Sequence, residues 1–313
     1  MQIEYGAAGL TVAKVGEAQV MSDVCDDLLM AYPAVDGPRC HELAELAKSK
    51  TIRVAIDSTT AADALSAAAR LAGSTIGILV DLDVGFHRTG VQSPAEALKL
   101  AQHVSRERGL RLDGLMIYPG HLRGHSPEQE AELRSIDQRV AQTLDLLRAA
   151  GLSAAIVSGG STPTAYQSHL VTKMTEFRPG TYIFNDMNSV HAGLCSLDDC
   201  AARIIATVVS TAVPGQFVLD CGSKTLTSDR CGPAPDSGHG HVMEYPEAKI
   251  FKLSEEHAQV DSSECPRTPK VGDKVTVIPN HICPCINLQS YIYWREEGEA
   301  PRPLPVEARG KVF

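Results

Sequence analysis

Through the first two thirds of the chain, short runs of branched and aliphatic residues alternate with stretches rich in Ala, Leu and Glu, and this alternation restricts the fold more than any other feature. The β-type runs are GLTVA at 9, DDLLMAYP at 26, IRVAIDS at 52, TIGILVDLDVG at 75, LDGLMIYPG at 112, SAAIVSGG at 153 and GTYIFND at 180. Between them, segments such as ADALSAAARLA and EAELRSIDQRVAQTLDLLRAAG place apolar residues three and four apart, on one helical face. Strands buried on both faces and spaced roughly 20 to 40 residues apart require a parallel sheet covered by helices, either a (β/α)8 barrel or an open doubly wound sheet. Polar and glycine residues gather just after the strand ends, at Asp57-Ser58, Asp83-Val84-Gly85, Tyr118 to His121, Ser158 to Thr162 and Asn185-Asp186. That places the chemistry on the C-terminal face of the sheet.

From about residue 202 the pattern changes to β-type segments without intervening helices: ARIIATVVSTAV, QFVLDCGSKTLTSD, KIFKLSEEHAQV and KVTVIPNHIC. We therefore expect an α/β barrel-type domain over 1–201 and a C-terminal β domain over 202–313. A closed barrel needs eight strands, and seven are found before the β domain begins. The deficit points to the start, where the chain opens almost directly on a strand, as if the first strand were missing.

Composition narrows the partners. The net charge is -9, with acidic and basic residues mixed along the chain, which argues against nucleic acid or an anionic membrane surface and favours a small-molecule substrate. No basic and apolar leader opens the sequence, and no apolar run reaches about 18 residues, so a cytoplasmic location is expected. The nine cysteines are scattered, which suits reduced thiols better than a disulfide framework.

Three motifs carry chemistry. VSGGSTPT, 157–164, ends a strand in glycines followed by hydroxyls, a pattern that serves as a phosphate cradle or simply as a tight turn; Thr181 and Tyr182 in RPGTYIFND add to the first reading. Arg88, in DVGFHRTGV, lies just past a strand end, where it either pairs with a surface carboxylate or faces a cofactor ring. VIPNHICPCINL, 277–288, puts His281 and Cys283 two apart; on a strand they would share one face and offer an imidazole and a thiolate to one point, half a metal site. The plain alternative is a buried Cys beside a hydrogen-bonded His.

In their order, DVGFHRTGV, GLMIYPGH, VSGGSTPT, RPGTYIFND, LDCGSKTLTSD and IPNHICPCINL resemble the D-threonine aldolase and D-serine dehydratase family, from about residue 6 onward. That family has the alanine-racemase type of pyridoxal phosphate barrel (a TIM barrel) and a C-terminal β domain. The resemblance implies that Arg88 faces the pyridine nitrogen of the cofactor. It implies that Ser158, Gly159, Gly160, Ser161 and Thr162, with Gly180, Thr181 and Tyr182, bind its phosphate. Tyr118 and either His121 or His125 would border the substrate, and His281 and Cys283 would hold a divalent metal. A thiolate ligand favours zinc over manganese or magnesium. Cys285 would point the same way along the strand and compete as a ligand. Relatives are often dimers, which makes a homodimer a candidate assembly.

The implied activity is a pyridoxal phosphate- and metal-dependent lyase that cleaves D-3-hydroxy amino acids to glycine and an aldehyde. The alternative is a D-serine dehydratase giving pyruvate and ammonia; a plain racemase has no use for the His281/Cys283 pair. The sequence departs from the family in one respect. The lysine that binds the cofactor covalently precedes, in relatives, the segment matching GAAGLTVAKVGEA, and this chain has no such residues. In relatives the position of Lys14 follows the second strand, where a lysine is common without that role. A truncated or non-catalytic family member is thus the third reading.

Overall fold

The computed structural model describes residues 1–124 and 126–313 and divides them into two units, Met1–Pro179 with Lys311–Phe313, and Gly180–Gly310. The first unit alternates strands and helices: β1 (Leu10–Val12), α1 (Val15–Met21), β2 (Asp27–Met30), α2 (Gly37–Leu46), β3 (Thr51–Ile56), α3 (Thr59–Ala72), β4 (Ile76–Asp81), α4 (Pro94–Val104), β5 (Leu110–Met116), α5 (Pro127–Ala149), β6 (Ile156–Gly159) and β7 (Glu176–Phe177). All seven strands are parallel and neighbour one another in chain order. The sheet curls into a half-barrel.

The two-residue period explains why both faces are apolar. Leu29, Ala55, Leu79 and Met116 pack together on one face, while Leu28, Met30, Val54, Ile56, Ile78 and Val80 join the core formed with the helices. The helices start where a capping side chain allows it: Asp36, Ser58, Ser93 and Ser126 accept from the backbone N–H of Arg39, Ala61, Glu96 and Gln129. Each cap stabilises its helix by about 1 kcal/mol. At the N-terminal side of the strands Arg53 bonds Asp27 and Asp113, and Arg111 grips both oxygens of Asp113 at 2.5 and 2.8 Å. Gly77 is in register with Arg53, and a Cβ there would lie 2.2 Å from an Asp113 oxygen, so only glycine leaves room for this cluster.

As expected from the strand count, the sheet has seven strands. Among the described residues β1 and β7 are its two ends, and a cavity of about 160 Å³ is lined by Gly9, Leu10 and Thr11 on one side and Glu176, Phe177 and Arg178 on the other. The seventh strand is not where the residue types suggest. Residues 181–183 of GTYIFND form a short 3-10 turn, Thr181–Ile183, and Asn185 adopts φ +52, so the β propensity of Thr, Tyr and Ile yields to the turn that precedes Asp186.

The second unit begins with α6 (Met187–His191), followed by β8 (Ile204–Ser210), β9 (Gln216–Leu219), α7 (Ser223–Leu226), β10 (His241–Val242), β11 (Lys249–Leu253), β12 (Ala258–Asp261), β13 (Lys274–Ile278), α8 (Ile282–Asn287), β14 (Tyr291–Trp294) and β15 (Arg302–Pro305). Its antiparallel six-stranded sheet, in the order β10-β13-β8-β9-β12-β11, is built around Phe217, Leu219, Val260, Val275 and Val277. The units divide near residue 180 rather than 202 because residues 180–201 are bonded into the second unit. Met187 N–H donates to the Pro279 carbonyl, and Ile282 N–H donates to the Asp186 carboxylate. Two of the expected long strands are interrupted: KIFKLSEEHAQV is a hairpin of β11 and β12, and QFVLDCGSKTLTSD is strand only to Leu219.

Candidate active site

At the C-terminal ends of the strands in the first unit, Asp81, Asp83, Phe86, Arg88, Thr89 and Tyr118 line one recess. The loop that carries Arg88 is built by Asp83. One Asp83 oxygen accepts from the backbone N–H groups of Gly85, Phe86 and His87, and the other lies 2.6 Å from His87 Nδ1. Burial works against this carboxylate's charge, but the N–H groups of His87 and Gly85 outweigh it and hold the pKa below the usual value. The loop delivers the Arg88 guanidinium over two rings, 4.7 Å from the centre of Tyr118 and 5.0 Å from that of Phe86. His121 packs on the same loop, since a Cβ on Gly85 would meet its ring at 3.0 Å. The structure thus brings Arg88, Tyr118 and His121 together. His125 lies outside the described residues. Asp83→Ala is expected to release this loop and destabilise the protein by about 2–4 kcal/mol, read by urea denaturation; a change below about 0.5 kcal/mol would show that Asp83 does not hold it.

Beneath the recess lies a residue that the sequence reading did not single out. Arg178 donates to Ser158 Oγ at 2.6 Å and to the Ile117 carbonyl at 2.9 Å. Burial of its guanidinium pulls the pKa down to about 10, against the favourable charges of Glu176 and Asp81. Asp81, in register with Met116 and bonded to Thr89 Oγ1 at 2.7 Å, is pushed up to about 6 by burial, with Asp57 adding to the shift. The only signal for Arg178 in the sequence is its place one residue before Pro179 in RPGTYIFND.

The loop after β6 fits a phosphorylated cofactor in its backbone. Gly160 adopts φ +77, with the Phe177 ring 2.1 Å from where a Cβ would stand, and a 3-10 helix, Thr162–Leu170, begins at once. A helix start leaves N–H groups without intrahelical acceptors, which suits an anion. Ser161 and Thr164 bond each other, while the Ser158 hydroxyl is fully buried against Arg178 and supports the loop from below. Lys14 follows β1, with Nζ 4.3 Å from the centre of the Tyr32 ring.

In the second unit the His281/Cys283 motif is not on a strand. Pro279 ends β13, His281 is the N-cap of α8, and Cys283 lies in its first turn, where Pro284 is tolerated because no intrahelical donor is needed. The pair still meets: His281 is hydrogen-bonded to Cys283, and this bond, more than any other contact, raises the imidazole pKa to about 9 against the effect of burial. Asp229 was not anticipated; its Oδ2 lies 2.7 Å from His281 Nδ1. Thr181, expected at the phosphate, stands with Oγ1 3.9 Å from Cys283 Sγ. Tyr182 is half exposed nearby in sequence, after Gly180. Cys285 turns inward instead of competing: its thiol bonds the carbonyls of His281 and Leu226, and burial pushes its pKa up to about 12. An imidazole and an exposed thiol with Asp229 behind them form a donor set that fits a borderline divalent ion. A further group, Asp63, His103 and Glu107, gathers from α3, the last turn of α4 and the loop after it, where His103 is already bonded to Asp63 and Glu107 to Ser66.

The alanine racemase, N-terminal domain family matches residues 1–188, more than half of the chain. The chain belongs to this family. The family is pyridoxal phosphate-dependent, and a putative serine dehydratase domain matches residues 201–294. The chain is 29% identical to the 3-hydroxy-D-aspartate aldolase of Paracoccus denitrificans, over 98% of this chain and 80% of that one. It is 29% identical to the D-threo-3-hydroxyaspartate dehydratase of a Delftia species, over 89% and 78% of the two chains. The crystal structure of D-threonine aldolase from Filomicrobium marinum superposes with a TM-score of 0.89 at 29% identity, covering 100% of this chain and 85% of that one. Family membership makes the chain a relative of pyridoxal phosphate lyases acting on D-amino acids. Among the described residues no helix is long and apolar enough to cross a membrane.

Proposed function

We propose that this protein is a pyridoxal phosphate- and metal-dependent lyase that splits D-3-hydroxy amino acids into glycine and an aldehyde. The observation that supports a metal-dependent lyase is the meeting of His281 and Cys283 at the start of α8, and the YPGH and RPGTYIFND segments, which resemble those of aldolase-like members, incline the reading to carbon–carbon cleavage. The two residues would hold a divalent ion, zinc by the softness of the thiolate, which would supply Lewis-acid polarisation of the substrate 3-hydroxyl. When bound, the cofactor supplies an electron sink for the bond that breaks. Arg88, held over the Phe86 and Tyr118 rings, would face its ring nitrogen and, as a guanidinium that keeps its proton, would leave that nitrogen unprotonated. The loop at 158–162, with its positive-φ Gly160 and the hydroxyls of Ser161 and Thr162, would receive its phosphate. His121 or His125 would take the proton from the 3-hydroxyl oxygen, and Tyr118 would line the substrate beside it. Manganese in place of zinc, and a homodimer as the working assembly, are further outcomes that metal analysis and sedimentation decide.

A second reading, D-serine dehydratase, is favoured by the thiol of Cys283 and by the matched domain. In that reaction an ion held by His281 and Cys283 would assist departure of the hydroxyl group, and pyruvate and ammonia would form. The two separate cleanly by product. With pyridoxal phosphate and zinc added, D-threonine is expected to give glycine and acetaldehyde, a chelator to stop the reaction, and His281→Ala or Cys283→Ala to slow it about 100-fold or more. Pyruvate from D-serine without glycine from D-threonine would reverse the choice. No product from either, at an intact fold, would support the non-catalytic reading.

A further inference from the structure

We propose that Asp229 is the positioning residue of the His281/Cys283 pair, fixing the imidazole in the one tautomer that leaves Nε2 to a metal ion. The inference rests on the metal reading above and adds a residue to it. A carboxylate only accepts hydrogen bonds, so the contact between Asp229 Oδ2 and His281 Nδ1 at 2.7 Å requires the proton to sit on Nδ1. Nε2 is then the ring nitrogen left for a ligand, and Cys283 lies two residues on, at the start of α8. A divalent ion would take Nε2 on one side and the Cys283 sulfur, once it has given up its proton, on the other.

The surroundings hold both partners of this contact in place. The main chain at Asp229 is held by Asn280, whose amide donates to the carbonyls of Asp229 and Gly238 at 3.0 and 2.8 Å. Asn280 is also the residue before His281, so one buried side chain ties the two ends of the Asp229/His281 contact together. On the other side, the buried Asp186 carboxylate accepts from Ile282 N–H at 3.0 Å and from Ser189, fixing the backbone between the two expected ligands. The Cys285 thiol donates to the His281 carbonyl at 3.2 Å. With the backbone so constrained, the remaining freedom of the imidazole is rotation and tautomer, and the bond to Asp229 restrains both. The pair is not a stability device. The side chains of His281 and Asp229 are 39% and 46% exposed, and an ion pair so accessible to water contributes little to folding. Its effect belongs in metal affinity, where loss of an orienting carboxylate typically weakens binding 10- to 100-fold.

The test is a competition titration of zinc against a chromogenic chelator on the full chain, with cobalt absorption as a second readout of thiolate and imidazole ligation. Asp229→Ala is expected to weaken zinc binding 10- to 100-fold with an almost unchanged melting temperature. Asp229→Asn, which still accepts from Nδ1–H through its amide oxygen, is expected to recover part of that loss. It also serves if the alanine variant folds poorly. Zinc affinity unchanged in both variants, while His281→Ala and Cys283→Ala abolish it, would overturn the role of Asp229 alone. If His281→Ala and Cys283→Ala also leave zinc binding unaltered, the metal pair itself is wrong and the inference falls with it.

Discussion

Replacing Arg178 with methionine is expected to destabilise the protein by about 3–5 kcal/mol, the usual consequence of removing one member of a buried charged network. Its guanidinium is buried beneath the recess even though part of the residue remains accessible, and it makes two bonds that nothing else replaces: one to the Ser158 hydroxyl and one to the Ile117 carbonyl. Methionine fills the space of the aliphatic stem, so the loss is polar rather than a cavity. It would leave a fully buried Ser158 hydroxyl without this donor, and it would remove positive charge from the neighbourhood of Asp81. Arg178→Lys keeps the charge but cannot make both bonds from a planar fork, so it should fall between. Equilibrium urea denaturation reads all three proteins. A loss below about 1 kcal/mol for the methionine variant would mean that the network is solvated and that Arg178 is not its anchor.

The half-barrel was legible because its strands are apolar on both faces, a pattern that survives in sequence however the strands are later curled. Leu79, flanked by Ile78 and Val80, reads as strand whichever face it finally takes. The motif at 277–288 was legible as chemistry but not as structure. His281 and Cys283 suit a strand by spacing, yet Pro279 interrupts the run and Asp186, nearly a hundred residues earlier, caps the helix that replaces it. Asp229 and Arg178 were missed for a related reason. Their significance lies in partners 52 and 20 residues away, and no local period marks such a contact. Thr181 and the segment around it show the limit of residue propensity: β-branched and aromatic side chains there form a turn, because the chain must deliver Asp186 to the start of α8.

The stability of the protein is expected to fall between about pH 4 and pH 6, opposite to the usual behaviour of carboxylates, and Asp81 is the residue responsible. Burial raises its pKa from 3.8 to about 6, with the neighbouring Asp57 adding to the effect, while the bond from Thr89 and the charges of Arg178 and Arg88 oppose it. The folded chain therefore binds the Asp81 proton more tightly than the unfolded chain does. The stabilisation associated with that proton is complete below about pH 4 and is lost as pH rises through about 6. A shift of roughly two units corresponds to about 3 kcal/mol at most, less where other carboxylates titrate in the same window with the opposite sign. Asp81→Asn carries the test. The amide oxygen still accepts from Thr89, the titration is gone, and the variant is expected to be more stable than the parent above pH 6 by up to about 3 kcal/mol and to lose this falling limb. Measured together with Arg178→Met, the two changes should not add, since removing Arg178 drives the Asp81 proton on still more tightly and removing the Asp81 charge deprives Arg178 of a favourable neighbour. A parent and an Asp81→Asn variant with parallel stability curves from pH 4 to 7 would show that Asp81 ionises normally, and the recess would then be wetter than the packing around it implies.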